Sequence, residues 1–401
     1  MRLLFLVPFP PRRDGGHGGS RAVAELITRL AEHHQVALVH LRGVAESRAD
    51  EALLERCDLV RAVPKPETPD RRGRLGRRLR VAGALLRGTP TMVAGGTHPD
   101  FAAAVRDVAR TWRPDIVQLE YHVMGAYLEA LEGIRAPRVL RQLEPGAATA
   151  ADRTRYRPGV ARFTGALERR AWARYEQSVM ARVDAVVALT SRDVEDLRRL
   201  AGRTPVECIP LGVALPSRPY DPAGAGERLV YVGNYAHSPN VEAVDRLIQV
   251  ILPGVRRSCP GAVLEVVGAH APDRWRGSER AGVTVVGSVP TVDPFLDRAS
   301  VIVVPLASGG GMRVKVLEAL AGGKAVVATP RALEGLDVQD GLQVRIAQTD
   351  EDLIMATVAL LRDPEARKAF GARARAWALA TLGWDGPVAA FERLYARLAP
   401  R

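Results

Sequence analysis

The stretch from Val301 to Thr329 constrains this chain more than any other. Its β-branched run Val301 to Val304 suits a strand buried on both faces, and Val326 and Val327 suggest the neighbouring strand of a parallel sheet. Between them, Gly309 to Gly311 permit unusual dihedrals and close approach of a ligand. The spacing predicts a helix from near Met312, whose free N–H groups and positive dipole end would face that corner. An anion is the natural guest, with Arg313 and Lys315 adding charge beside it. Glu318 shares a helix face with Val314 and Ala321, which directs its carboxylate inward. An ordinary βα turn with Glu318 in a buried network accounts for the same pattern, because glycine turns before helices are common in α/β proteins.

At 401 residues the chain has room for two or three domains with cores of their own. Its hydrophobic content of 47% and charged content of 25% are ordinary for a soluble globular protein. The net charge of +12 suits anionic partners, whether nucleotide phosphates, nucleic acid or an acidic membrane surface, and does not choose among them. Cys57, Cys208 and Cys259 stand far apart without metal-ligand spacing, so neither a zinc site nor a disulfide framework is indicated and a reducing cytoplasm fits. Leu3 to Val7, stopped by Pro8, reads as a first buried strand rather than a signal peptide. No segment approaches the roughly 20 apolar residues needed to cross a bilayer, so any membrane association would be peripheral.

Read in order, the chain opens with a strand over residues 2 to 7, a glycine loop at Gly15 to Gly19, a helix from Ser20 to His33 and a strand from Val36 to Leu41. This βαβ start carries no Gly-x-Gly-x-x-Gly run and no acidic residue closing the second strand, which argues against a nicotinamide domain. Arg71 to Arg80 is the most basic segment. A solvated helix face is the commonest explanation of such a run, contact with anionic lipid the second, and nucleic acid the third, because no aromatic residues are interleaved for base stacking. Strands at Asp115 to Leu119 and Arg138 to Leu143 deliver Glu120, His122 and Glu144 at their C-terminal ends, where open α/β sheets hold ligands. A histidine after a strand is more often structural than catalytic. The Pro- and Gly-rich residues 214 to 226 read as a linker between domains at 1–213 and 227–383, each a strand-helix series, with a last helix in 384–401 that could pack back on either.

The chain resembles the retaining glycosyltransferases of family 4, over nearly its whole length. The resemblance rests on Gly18-Gly19-Ser20-Arg21, Asp115 to Glu120, Ile209 to Val213, Tyr231 to Asn234, Pro239-Asn240, Val283 to Val289 and Pro305 to Gly335. Within the last, Gly310 to Ala321 is similar to the nucleotide-sugar motif of a subgroup in which arginine and lysine follow the glycines. The resemblance implies an α/β protein of GT-B architecture, with two facing Rossmann-like domains, parallel sheets and a cleft between them. It implies a nucleotide diphosphate sugar as donor, bound by Gly18, Gly19, Asn234, Gly287, Val289, Gly309, Gly310, Gly311, Met312 and Glu318, the last on the ribose hydroxyls. Arg313 and Lys315 would stabilise the diphosphate, Glu120 and His122 are candidates for the sugar side, and Glu144 lies on the acceptor side. Gly310 stands where relatives usually present a carboxylate to the sugar, and Asn234 and His237 stand where they offer arginine and lysine to the phosphates. The acceptor would be a glycan, a lipid-linked molecule or a small molecule, with peripheral contact to anionic membrane through Arg71 to Arg80 and a cytoplasmic location. No cofactor, metal or nucleic acid is expected, since no Asp-x-Asp closes a strand and Asp350-Glu351-Asp352 reads as a helix start. A nucleotide-sugar epimerase and a non-catalytic sugar-binding subunit are the alternatives.

Overall fold

The computed structural model describes residues 1–13, 18–43, 49–65, 83–85, 88–143, 145–147, 150, 160–224, 226–277, 281–309 and 313–399. The Arg71 to Arg80 cluster, Glu144 and Gly310 to Met312 lie outside the described residues. Short β-branched runs make two parallel sheets. The first joins β1 (Arg2–Val7), β2 (Gln35–Arg42), β3 (Leu59–Pro64), β4 (Ile116–Glu120), β5 (Arg138–Gln142), β6 (Ala185–Ala188) and β7 (Val206–Cys208) in the order β3-β2-β1-β4-β5-β6-β7. The second joins β8 (Arg228–Val232), β9 (Val263–Val267), β10 (Val283–Gly287), β11 (Val301–Val304), β12 (Val326–Ala328) and β13 (Arg345–Ile346) in the order β10-β9-β8-β11-β12-β13. Every pairing within the two sheets is parallel. Parallel pairing demands crossover helices that cover both faces, which is why β1, β6, β11 and β12 are almost uninterrupted apolar runs. Strand order reverses between β1 and β4 in one sheet and between β8 and β11 in the other, so each domain opens a crevice there at its strand C-termini.

The last helix, Asp385–Leu398, leaves the second domain and packs on the first. Phe391, Leu394 and Tyr395 are buried in one cluster with Leu3, Phe5 and Ile27. A polar relay fixes the docking. The Tyr395 hydroxyl donates to Gln118 Oε1 (3.1 Å), Gln118 Nε2 donates to Glu120 Oε1 (3.1 Å), and Arg141 Nη1 donates to Glu120 Oε2 (3.3 Å). The strand register that sets Glu120 beside Arg141 buries the charge pair together.

The Pro- and Gly-rich segment does not hang loosely between the domains. Lys324 Nζ donates to the Asp221 carbonyl, Arg367 Nη2 to that of Ala223 (2.7 Å) and Arg375 Nη2 to that of Pro216 (2.5 Å). All three cations belong to the second domain, so residues 216 to 223 are tied to it. The two crossing segments meet beside this, where the Val213 N–H donates to the Leu382 carbonyl (2.8 Å). Among the described residues, no helix is long and apolar enough to cross a membrane.

Candidate active site

The two crevices face one another and form a single cleft of about 1540 Å3. Gly18, Gly19, Asn234, Val289, Gly309, Arg313, Lys315 and Glu318 all line it, and Gly287 ends β10 at its edge, one residue before the lining Ser288. Two helices begin at the cleft, Gly18–Leu30 from the first domain and Val314–Ala321 from the second, so two sets of unpaired N–H groups and two positive dipole ends converge. They approach closely. A Cβ added at Gly18 would stand 2.9 Å from Val314 Cγ2, which explains a glycine at that position. Gly309 turns the chain out of β11 with φ of 103°, a conformation that other residues rarely adopt.

Arg313 sits just before its helix, and Nη2 donates to the Gly309 carbonyl at 2.7 Å, so the buried guanidinium is folded onto the glycine turn. Lys315 is held by two groups from the β8 side. Its Nζ donates to the Tyr231 hydroxyl (2.9 Å) and to Asn240 Oδ1 (2.5 Å), and the Tyr231 hydroxyl donates to the same Oδ1 (3.0 Å). Asn240 is held in turn, since its Nδ2 donates to the Asn234 carbonyl at 2.8 Å. Burial, then the charge of Arg313, pushes the Lys315 ammonium down to about 7, against the opposing pull of Glu318. Part of Lys315 faces the cleft, so an anion arriving there would reverse the shift.

Glu318 lies about one helical turn further on. Its Oε1 pairs with Arg21 Nη1 at 2.9 Å, an ion pair that spans the two domains, while Oε2 has no protein partner among the described residues. Burial pushes the Glu318 carboxyl above the usual range, with Arg21 opposing. A second bridge joins Arg192 of the first domain to Glu334 of the second. Two ion pairs therefore tie the domains to one another.

Glu120 and His122, expected on the sugar side, are not among the residues that line the cleft. Glu120 is fully buried in the relay described above, where its neighbour Arg141 satisfies it and burial raises its carboxyl. His122 is buried with its ring edge-on to Trp172, centroids 4.4 Å apart, and its carbonyl accepts the Tyr175 hydroxyl. Between them, Tyr121 adopts φ of 73° and turns into the cleft, its ring edge-on to Phe9 at 5.2 Å. Arg21, Tyr121, Tyr231 and Asn240 were not singled out from sequence as site residues. Arg21, Tyr231 and Asn240 sat inside matched motifs, which was the available signal.

Two facing Rossmann-like domains, with a cationic corner and an inward carboxylate in the cleft between them, define the GT-B class of nucleotide-binding folds. The family comparisons agree with the geometry. The model for glycosyltransferase family 4 matches residues 16–215, and that for glycosyl transferases group 1 matches residues 226–363. The chain belongs to the GT-B glycosyltransferases. Its structure is similar to sucrose-phosphate synthase of Thermosynechococcus elongatus, with a TM-score of 0.72 at 16% identity over 99% of both chains. It is similar to HepE of Anabaena bound to UDP, with 0.68 at 13% over 99% of this chain and 100% of that one. It is also similar to WaaG, a glycosyltransferase involved in lipopolysaccharide biosynthesis, with 0.67 at 16% over the whole of both chains. No curated protein matches the chain in sequence.

Proposed function

We propose that the protein transfers a sugar from a nucleoside diphosphate donor to an acceptor hydroxyl, with retention at the anomeric carbon and without a metal ion. The reading rests on one observation above others: Arg313, Lys315 and the start of the helix Val314–Ala321 converge on one corner of a two-domain cleft. A departing nucleoside diphosphate gains negative charge as the glycosidic bond breaks, and preorganised cations and N–H groups lower that barrier most. Glu318, a bidentate acceptor, suits the vicinal hydroxyls of a ribose, and Arg21 would yield that carboxylate to the incoming nucleoside. In a same-face mechanism the leaving phosphate oxygen takes the proton of the attacking hydroxyl, so positioning and charge stabilisation are the protein's main contributions. The fold relatives crystallised with UDP and with UDP-glucose support a nucleotide sugar as donor.

The test is a screen of uridine, guanosine and thymidine diphosphate sugars with neutral and lipid-linked acceptors, in chelator. Acceptor-dependent release of nucleoside diphosphate, with the product's anomeric configuration matching the donor's by NMR, is the expected result. An inverted product, or activity that appears only on adding a divalent cation, would reject the mechanism. Contact of Arg71 to Arg80 with anionic membrane belongs to the same proposal, and predicts binding to phosphatidylglycerol vesicles that weakens as salt rises. Indifference to such vesicles at low salt would remove it.

A further inference from the structure

A second cavity, of about 430 Å3, lies in the first domain between the helix Val160–Met180 and the helix Ser191–Arg198. Arg169 and Arg170 enter it from the first helix, Arg192 and Arg199 from the second helix and the residue after it. Two carboxylates line the groove with them, and a third, Glu334 of the second domain, pairs with Arg192 from outside it. Asp196 pairs with Arg199 at 3.0 Å and lies 4.0 Å from Arg192. Glu176 is buried, and its oxygens accept the N–H groups of Gly146 (2.7 Å) and Ala147 (3.1 Å). That burial pushes the Glu176 carboxyl up to about 7, which limits the negative charge it sets against the arginines. Arg169 and Arg170 are exposed, and neither has an ion-pair or hydrogen-bond partner among the described residues.

The groove adjoins the cleft past the C-terminal ends of two strands. After β5, Leu143 lines the cleft and Pro145 the groove; after β6, Leu189 lines the cleft and Arg192 the groove. Burial raises the carboxyl of Asp193, the neighbour of Arg192, with the Thr190 hydrogen bond and the charge of Arg192 opposing.

We infer that this arginine groove holds a phosphate or diphosphate group of the acceptor while the acceptor's hydroxyl reaches into the cleft. The inference rests on the transferase reading above and names the acceptor's chemistry. Planar guanidinium forks pair bidentately with phosphate oxygens, and two uncompensated arginines beside two partly compensated ones favour a group carrying more than one negative charge. No bond forms or breaks in the groove.

Calorimetric titration of the full chain with inorganic pyrophosphate tests the proposal without relying on turnover. The parent is expected to show two binding events. The double variant Arg169→Ala/Arg170→Ala should lose the groove event, with affinity there falling about tenfold or more, and keep the cleft event. Lys315→Met should do the reverse. Both replaced arginines are exposed, and an unchanged melting temperature confirms that the double variant is folded. Comparing a short-chain prenyl diphosphate with glycerol phosphate then separates the sources: tail-dependent affinity assigns a lipid carrier, and equal affinity a soluble phosphorylated acceptor, either of which supports the groove. Pyrophosphate binding in the double variant indistinguishable from the parent would overturn it, as would loss of all binding in Lys315→Met. Groove binding that survives in a protein with no transferase activity would reject the functional reading and leave the groove intact.

Discussion

Lys315 makes the affinity for donor depend on pH in a direction that the structure sets. Its ordinary value is 10.5, and burial together with the charge of Arg313 lowers it to about 7. A diphosphate within reach of Nζ favours the ammonium and returns the value toward the ordinary one, so above neutrality each donor bound takes up a proton. About half of the lysine is charged near pH 7 and about one-thirtieth near pH 8.5, so donor affinity should fall roughly 15-fold over that interval, equivalent to about 1.6 kcal/mol. Titration calorimetry with the intact nucleotide sugar is the suitable assay, because its diphosphate has no proton to lose in this range. Repeating it in buffers of different ionisation enthalpy counts the proton taken up. Lys315→Arg keeps a charge throughout and should flatten the profile; Lys315→Met should bind weakly and without pH dependence. A parent profile that is flat from about pH 6.5 to about pH 9 would refute both the lowered value and the assignment of Lys315 to the diphosphate.

Glu318→Gln should weaken nucleoside diphosphate and donor alike, by about tenfold, because the lost acceptor would contact the part the two ligands share. Equal donor affinity in parent and variant, measured by calorimetry, would remove Glu318 from the ribose. Arg313→Met should lower kcat by about 100-fold with a smaller effect on donor Kd, as expected of a group that acts on charge formed at bond breaking. Arg141→Met leaves the Glu120 carboxylate buried without its cation and should cost about 3–5 kcal/mol in urea unfolding near neutrality. Without the arginine the Glu120 carboxyl rises further, so the loss should grow as pH rises above the ordinary carboxylate range and shrink in acid. Adding Glu120→Gln should restore most of it.

The fold was legible because parallel strands covered on both faces must be short apolar runs, and Leu3 to Val7, Val301 to Val304 and Val326 to Ala328 are such runs. The corner around Gly309, Arg313, Lys315 and Glu318 was legible because a glycine turn before a helix fixes where its first side chains point. What the strand ends do with Glu120 and His122 was not. A polar residue there can face a ligand or turn inward, and the choice depends on Arg141 one strand away and on Tyr395 in the last helix. Arg21 belonged to a matched motif, but its role was not legible, since its partner Glu318 belongs to the other domain. The linker's attachment to the second domain was not legible either. Lys324, Arg367 and Arg375 grip its backbone carbonyls, and carbonyls leave no mark in a sequence.

The cleft unites these features. Gly18 against Val314, Arg21 on Glu318 and Arg192 on Glu334 hold the domains together around a site whose lysine is deprived of part of its charge. A donor would supply both the anion that Lys315 lacks and the hydroxyls that compete with Arg21 for Glu318. The most direct measurement is a crystal structure of the chain with a nucleoside diphosphate sugar. Diphosphate oxygens are expected within hydrogen-bond distance of Lys315 Nζ and the Arg313 guanidinium, with ribose hydroxyls on the Glu318 carboxylate and Arg21 withdrawn from it. A donor bound with its diphosphate away from this corner, or with the Arg21 to Glu318 pair intact and the ribose elsewhere, would contradict that expectation.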